Sequence, residues 1–288
     1  MDELECLPAG ELSLAALADV FNTVFEGYLV PMRHTVESLA TMVQTNDIRL
    51  GESLVARRAG ALVGLALLGV RGERGWVGGM AVAPRWRGQG AGAALLRALI
   101  ARAGEMGLAA LQLEVLNENT VARRLYRRLG FVETRPLAVY TGPAARPTDP
   151  QTLEARLAIA ALPVAQALAE FAPLHASAPP WQRERDSLLH MAPTLSAIGL
   201  RDAAGLRAYL LWMPTGGGYG LLDCGARAAD PVTRAQDART LLTSLLAADP
   251  RAPLRAINVP SDDALGEALD ALGCPIYATQ REMLLRLK

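Results

Sequence analysis

The fold turns on one stretch: Val82-Ala83-Pro84-Arg85-Trp86-Arg87-Gly88-Gln89-Gly90-Ala91-Gly92, running directly into Ala93-Ala94-Leu95-Leu96-Arg97-Ala98-Leu99-Ile100. An apolar strand, Trp76 to Val82, ends at Pro84, and an Ala/Leu-rich helix starts near Gly90. Between them three glycines stand on alternate positions, with Arg87 just ahead of the first. Glycine permits positive φ and lets a backbone come close to a ligand. The free N–H groups of a helix start, helped by the helix dipole, attract anions. The stretch therefore reads as a seat for a phosphate or diphosphate on Gly88, Gln89, Gly90, Ala91 and Gly92, with Arg87 adding a positive fork.

Three readings fit these residues. One is a glycine-rich turn that only lets strand and helix pack. A second is a dinucleotide-binding turn, because Gly88, Gly90 and Ala93 satisfy G-x-G-x-x-A and Glu114 follows. That motif belongs in the first strand–helix turn of its domain, whereas about 80 residues precede it here. In the third, Arg87-x-x-Gly90-x-Gly92 resembles the acetyl-CoA diphosphate loop of the GNAT superfamily (GCN5-related N-acetyltransferases). The residues that follow strengthen this resemblance: Leu113-Glu114-Val115-Leu116-Asn117-Glu118-Asn119, then Ala122, Leu125-Tyr126 and Leu129-Gly130-Phe131. They look like the strand, asparagine turn, tyrosine-bearing helix and Gly-Phe exit of the second half of that fold. The resemblance covers roughly Leu12 to Tyr140 and implies an α/β mixed-sheet acyl-CoA N-acyltransferase fold.

Around the loop, helical spacing predicts helices over Leu12–Phe25 and Thr35–Val43. Ser53–Ala56 and Ala61–Val70 read as a hairpin leading into Trp76–Val82. Helix Ala91–Met106, strand Leu111–Val115 and helix Thr120–Leu129 come next, and Phe131–Glu133 and Leu137–Tyr140 read as closing strands. A Pro/Gly/Ala run from Thr141 to Pro150 predicts a boundary, giving domains 1–142 and 151–288 with a linker at 143–150. The second half repeats the ladder of elements, so two tandem copies are expected. Setting Gly130 against Gly273 matches Asn119 with Asp262, Tyr126 with Leu269, Arg87 with Asp230 and Gly90 with Thr233. The loop chemistry and the tyrosine are absent there, so the second copy reads as degenerate, serving as a dimer surface or a wall for the acceptor.

Composition narrows the function. Lys+Arg and Asp+Glu are both 29, so no global field draws nucleic acid or membrane. No apolar run reaches the ~18 residues of a membrane span, and the acidic start Met1-Asp2-Glu3-Leu4-Glu5 lacks a basic leader. Cys6, Cys224 and Cys274 give neither a disulfide framework nor a metal spacing. His34, His175 and His190 share no short spacing, so no metal site is read. Together these features predict a cytoplasmic protein.

The resemblance implies an acetyltransferase acting on an amine, with acetyl-CoA as cosubstrate, by direct attack in a ternary complex. It implies Tyr126 as the acid for the departing thiolate and Glu114 as a candidate base. Met80, Ala81 and Val82 would bond the pantetheine amides and polarise the thioester, and Asn117 and Asn119 would bind the cofactor arm or cap a helix. Asn22, Phe25, Tyr28 and His34 would face the acceptor, and a homodimer is open. Two other readings remain at this level. One is a non-catalytic acyl-CoA binder or scaffold. The other is a mycothiol-synthase-like layout, whose intact motif is expected in the second half, the reverse of this chain.

Overall fold

The computed structural model describes residues 4–145, 158–227, 230–247 and 249–287. They form two compact units, Met1–Thr134 with Arg281–Lys288, and Arg135–Gln280. The boundary lies inside a strand, not at the Pro/Gly/Ala run, of which residues 146–150 lie outside the described residues. The chain's end returns to the first unit because its side chains are apolar on one face: Met283 is fully buried there, with Leu285 and Leu287 packed beside it.

The first unit opens with β1 (Glu5–Pro8), a strand the sequence reading missed, then α1 (Leu14–Val24) and α2 (Val36–Thr45). Ser13 and Thr35 cap these helices, each side-chain oxygen accepting an N–H three residues on, at 3.2 Å. Next come β2 (Leu54–Arg58), β3 (Ala61–Arg71), β4 (Arg74–Val82), α3 (Ala91–Glu105), β5 (Ala110–Leu116), α4 (Thr120–Arg128) and the start of β6 (Val132–Gly142). Neighbours from β1 to β4 pair antiparallel, and β4 pairs parallel with β5. Leu95, Leu96 and Leu99 of α3 bury one face of this sheet together with Val77, Leu111 and Leu113. The predicted elements of this half appear within a few residues of their predicted bounds, except that the two short closing strands are one continuous strand.

What positions the site is where pairing stops. β4 and β5 pair only at Arg74–Ala110, Gly75–Leu111 and Trp76–Gln112, although both strands run on. β4 bulges at the same place: Leu67 faces Gly79 and Leu68 faces Val77, which leaves Gly78 as the extra residue. A side chain at Gly78 would meet the Trp76 ring at 2.3 Å, so only glycine fits. Beyond Trp76 the outer edge of β4 carries backbone groups that β5 does not satisfy.

The second unit contains the remainder of β6, then β7 (Ala158–Ala161), α5 (Val164–Ala169), α6 (Arg185–Met191), β8 (Ser196–Asp202), β9 (Gly205–Thr215), β10 (Gly218–Ala226), α7 (Pro231–Leu245), β11 (Leu254–Pro260), α8 (Ala264–Ala271) and the start of β12 (Ile276–Arg286). β7 to β10 pair antiparallel, and β10 pairs parallel with β11 over three positions, ending at Leu221–Ala256. The order and the early parting repeat those of the first unit.

Met283→Ala should destabilise the first unit by about 2–5 kcal/mol, since it empties a fully buried site. Urea unfolding followed by Trp76 and Trp86 fluorescence measures this.

Candidate active site

The glycine loop has the geometry its sequence demands. Gly88 and Gly90 adopt φ of 76° and 83°, where a side chain would be strained, and a Cβ at either would meet open space. Gly90 is the N-cap of α3 and supplies no capping side chain. Helix geometry therefore leaves the first N–H groups of α3 without intrahelical acceptors. At Gly92 a Cβ would lie 3.7–3.8 Å from Leu125, Val82 and Met80, so the start of α3, the end of β4 and α4 converge here. Gln89 bonds back to the Arg85 carbonyl at 2.9 Å and shapes the loop.

Arg87 departs from expectation. Its Nε donates to the Val82 carbonyl at 2.8 Å, and its Nη2 donates to the carbonyls of Val24 at 3.1 Å and Glu26 at 3.0 Å. The fork read as aimed at a diphosphate is thus engaged by main-chain carbonyls at the end of α1. A guanidinium matches carbonyl oxygens as well as phosphate oxygens, and the carbonyls left free at a helix end are strong acceptors.

Met80, Ala81 and Val82 lie on β4 past its last pair with β5 and pair with β3 on the other side. Alternate residues of such a strand direct N–H and C=O away from the partner, here toward the parted edge. Tyr126 is buried in the same cluster as Val77 of β4 and Leu113 and Val115 of β5. Its ring packs on Phe131 at 5.8 Å, and its hydroxyl makes no hydrogen bond among the described residues. Burial pushes this phenol far above its ordinary value of 10, and a charge on Tyr28 would push it further, so it holds its proton throughout the neutral range.

Glu114 accepts a hydrogen bond from the Trp76 indole at 2.7 Å. It alternates with Leu113 and Val115, so it faces away from the Tyr126 side, as strand geometry predicts. Asn119 proves to be the N-cap of α4: its carbonyl oxygen accepts from Ala122 N at 3.1 Å, and its amide nitrogen donates to the Tyr28 hydroxyl at 3.4 Å. The Asn117 carbonyl accepts from Arg123 at 3.1 Å.

Two of the residues expected to face the acceptor make contacts within the protein. Asn22 bonds the His34 backbone twice, at 2.9 Å each, and Phe25 is buried, stacked on Phe21 at 4.4 Å. The Trp76–Glu114 and Asn119–Tyr28 bonds carried no sequence signal, since their partners lie far apart along the chain. On α4, Val121, Arg124, Arg127 and Arg128 line an open cavity of about 510 Å³. Arg123 and Arg127 both donate to Glu133, at 2.8 and 2.6 Å.

In the second unit the corresponding places are occupied by the protein itself. Asp230 caps α7, accepting from Thr233 N at 2.9 Å, where the cap of α3 is a bare glycine. The cap of α8 is Asp263, so Asn119 matches Asp263 and not Asp262: α8 is one residue shorter than α4 at its start. At the other end the match of Tyr126 with Leu269 holds, because Phe131 N bonds Tyr126 O and Cys274 N bonds Leu269 O.

Past the last β10–β11 pair sits buried Arg183. It donates to the Leu222 carbonyl at 3.1 Å and reaches Asp223 at 3.3 Å and Asp263 at 3.4 Å. His175 and Tyr209 complete the network on Asp223, at 3.1 and 2.7 Å. Burial works against the charge on Asp223, yet His175 and Arg183 hold its carboxyl below the usual range.

Residues 19–131 match the Acetyltransferase (GNAT) family. No curated protein matches the chain in sequence. Among solved structures, a GCN5-related N-acetyltransferase from Sphaerobacter thermophilus superposes with a TM-score of 0.71 at 14% identity, over 98% of this chain and 95% of that one. A tandem GNAT protein from the clavulanic acid biosynthesis pathway gives a TM-score of 0.67 at 16% identity, over 99% and 98% of the two chains. A GCN5-related glucosamine N-acetyltransferase region of a fungal multi-domain β-N-acetylglucosaminidase gives 0.75 at 15% identity, over 99% of this chain and 38% of that one. At these identities the structures speak to fold, and that fold is the mixed-sheet GNAT fold of a tandem protein. The segment at residues 19–131 thus matches the GNAT acetyltransferases, a family of acyltransferases, and the solved structures extend the likeness in fold along the rest of the chain.

Proposed function

We propose that the first unit transfers an acetyl group from acetyl-CoA to a primary amine, on a small molecule or a peptide N-terminus, by direct attack in a ternary complex. The observation that carries this reading is the parted edge of β4. It runs from the uncapped start of α3 to a buried tyrosine whose hydroxyl has no partner among the described residues. These residues fit an acyl-CoA. The open backbone of Gly88 to Gly92, with the α3 N–H groups, suits a diphosphate. The unpaired edge at Met80, Ala81 and Val82 suits an amide-bearing arm.

Acetyl-CoA supplies an activated thioester. An N–H on Met80–Val82 polarises the thioester oxygen as charge develops there. Tyr126 holds a proton for the departing sulfur, and Glu114, oriented by the Trp76 indole, receives the proton that the ammonium must lose. Asn119 serves by fixing the start of α4, and Asn117 lies beside the arm. Arg87 supports the site indirectly, by tying the end of α1 to the end of β4.

In the same reading the second unit binds no acyl-CoA. Asp230 would repel a diphosphate from α7, and Leu269 has no proton to give. Arg183 bridges β10 and the α8 cap, where the arm would have to lie.

Calorimetry should give about one coenzyme A per chain, and Gly90→Val should weaken binding about tenfold or more. Tyr126→Phe should cut kcat by about 10²–10⁴ in thiol release with a panel of amines, with the melting temperature preserved. An unchanged kcat would remove Tyr126 from the mechanism.

Arg183→Met should cost the second unit about 3–5 kcal/mol, since it strands two aspartates, while coenzyme A affinity stays unchanged. Burial alone would lower the pKa of His175, but Asp223 raises it above 6.5. A group raised on folding stabilises fully below its unfolded value and loses that effect as pH climbs through its folded value. Second-unit stability should therefore decline as pH rises above the ordinary histidine range, and His175→Gln should flatten that decline. Urea midpoints measured across that range test it.

A further inference from the structure

Helix α4 holds four arginines, Arg123, Arg124, Arg127 and Arg128, and no acidic residue. Two of them share a carboxylate: Arg123 and Arg127 both donate to Glu133, at 2.8 and 2.6 Å. The other two have none among the described residues. Arg124 donates to the Thr120 carbonyl at 3.2 Å, and Arg128 makes no hydrogen bond or ion pair there. Arg124 and Arg128 stand four residues apart, so their like charges share one helix face and repel. A cation in the last turn is favoured by the helix dipole, which accounts for Arg128 but not for Arg124 in the middle of the helix.

The same face lines a cavity. Val121, Arg124, Arg127 and Arg128 border about 510 Å³, room for a small organic ligand and more than a lone ion needs. Val121 is 72% exposed, so the cavity presents an apolar patch among guanidinium groups.

Leu125 relates this cavity to the glycine loop. A Cβ at Gly92 would lie 3.7 Å from the Leu125 side chain, so α4 meets the start of α3 at that residue. Val121 and Arg128 stand four before and three after Leu125, which makes them its neighbours on the helix surface. The cavity therefore opens beside the start of α3. Arg87 is engaged by the carbonyls of Val82, Val24 and Glu26, so uncompensated charge beside the loop comes instead from Arg124 and Arg128.

We propose that this cavity takes the 3′-phosphoadenosine end of coenzyme A, with Arg124 and Arg128 holding the 3′-phosphate and Val121 against the nucleoside. This rests on the reading of Gly88 to Gly92 as the diphosphate seat. The coenzyme carries its 3′-phosphate on the ribose whose 5′-oxygen bears the diphosphate. A second anion site adjoining the first is what that ligand requires. A phosphate monoester is close to doubly charged and has three acceptor oxygens, which suits two guanidinium forks. It also relieves the repulsion between them. The consequence is donor specificity: an acyl group on full coenzyme A is accepted, and the same group on a phosphopantetheine arm without the nucleotide, as on a carrier protein, is a poor donor.

The test is calorimetry of the full chain with coenzyme A and with 3′-dephospho-coenzyme A. Wild type should bind coenzyme A about 10- to 100-fold more tightly, the range expected for hydrogen bonds between charged groups. Added salt should narrow that gap, because the arginines are exposed. Arg124→Gln and Arg128→Gln should each weaken coenzyme A binding several-fold, about 3- to 10-fold, and leave the dephospho form within about twofold. The double variant should no longer tell the two ligands apart. Both side chains lie on the surface, and an unchanged melting temperature confirms that the variants fold. Equal wild-type affinity for the two ligands, or a gap that persists in the double variant, overturns the proposal and leaves the acyl-CoA reading standing. If neither ligand binds, both fall.

Discussion

A parallel pair of strands that stops pairing early creates an obligation. Each backbone N–H and C=O on the abandoned edge must find another partner or bear the cost of burial without one. In this chain β4 and β5 stop at Trp76–Gln112, and β10 and β11 stop at Leu221–Ala256. The glycine loop, the uncapped α3 and the placement of Tyr126 all take their meaning from the first parting. A bulge at Gly78, covered by the Trp76 ring, fixes where it begins. The same tryptophan then orients Glu114, so one side chain links the break in the sheet to the candidate base.

The two units meet that obligation in opposite ways. In the second, Arg183 takes a β10 carbonyl and the carboxylates of Asp223 and Asp263, and the Asp230 carboxylate caps α7. Buried ion networks of this kind add little net stability over an apolar filling, but removing one member is costly. They are therefore better read as fixing a structure than as strengthening it. In the first unit the corresponding cap is glycine, and the hydroxyl of Tyr126, buried among residues of β4 and β5, has no hydrogen bond among the described residues.

Several residues read as ligand-directed turn inward, for reasons of distance along the chain. Arg87 was legible as a positive group beside a glycine loop. Two of its three acceptors, the carbonyls of Val24 and Glu26, are over sixty residues away in sequence. Asn119 was legible as either a cap or a ligand, and the structure shows the cap, with its free end on Tyr28. The repeat was legible too, but counting back from Gly273 misplaced the α8 cap by one residue, because a shortened helix leaves no mark in a gapless comparison.

The sequence by itself determined the element order, the glycine loop with its positive φ, the tyrosine-bearing helix and the doubling of the fold. Those features depend on local periodicity and on what glycine alone can do, and both are written in neighbouring residues. Tertiary structure decided the rest. It placed the last strand's end in the first unit, turned Arg87 onto carbonyls, hung Glu114 from Trp76 and set Arg183 between two aspartates. Each of these joins residues remote in sequence through burial and hydrogen-bond satisfaction, which only the assembled core can enforce.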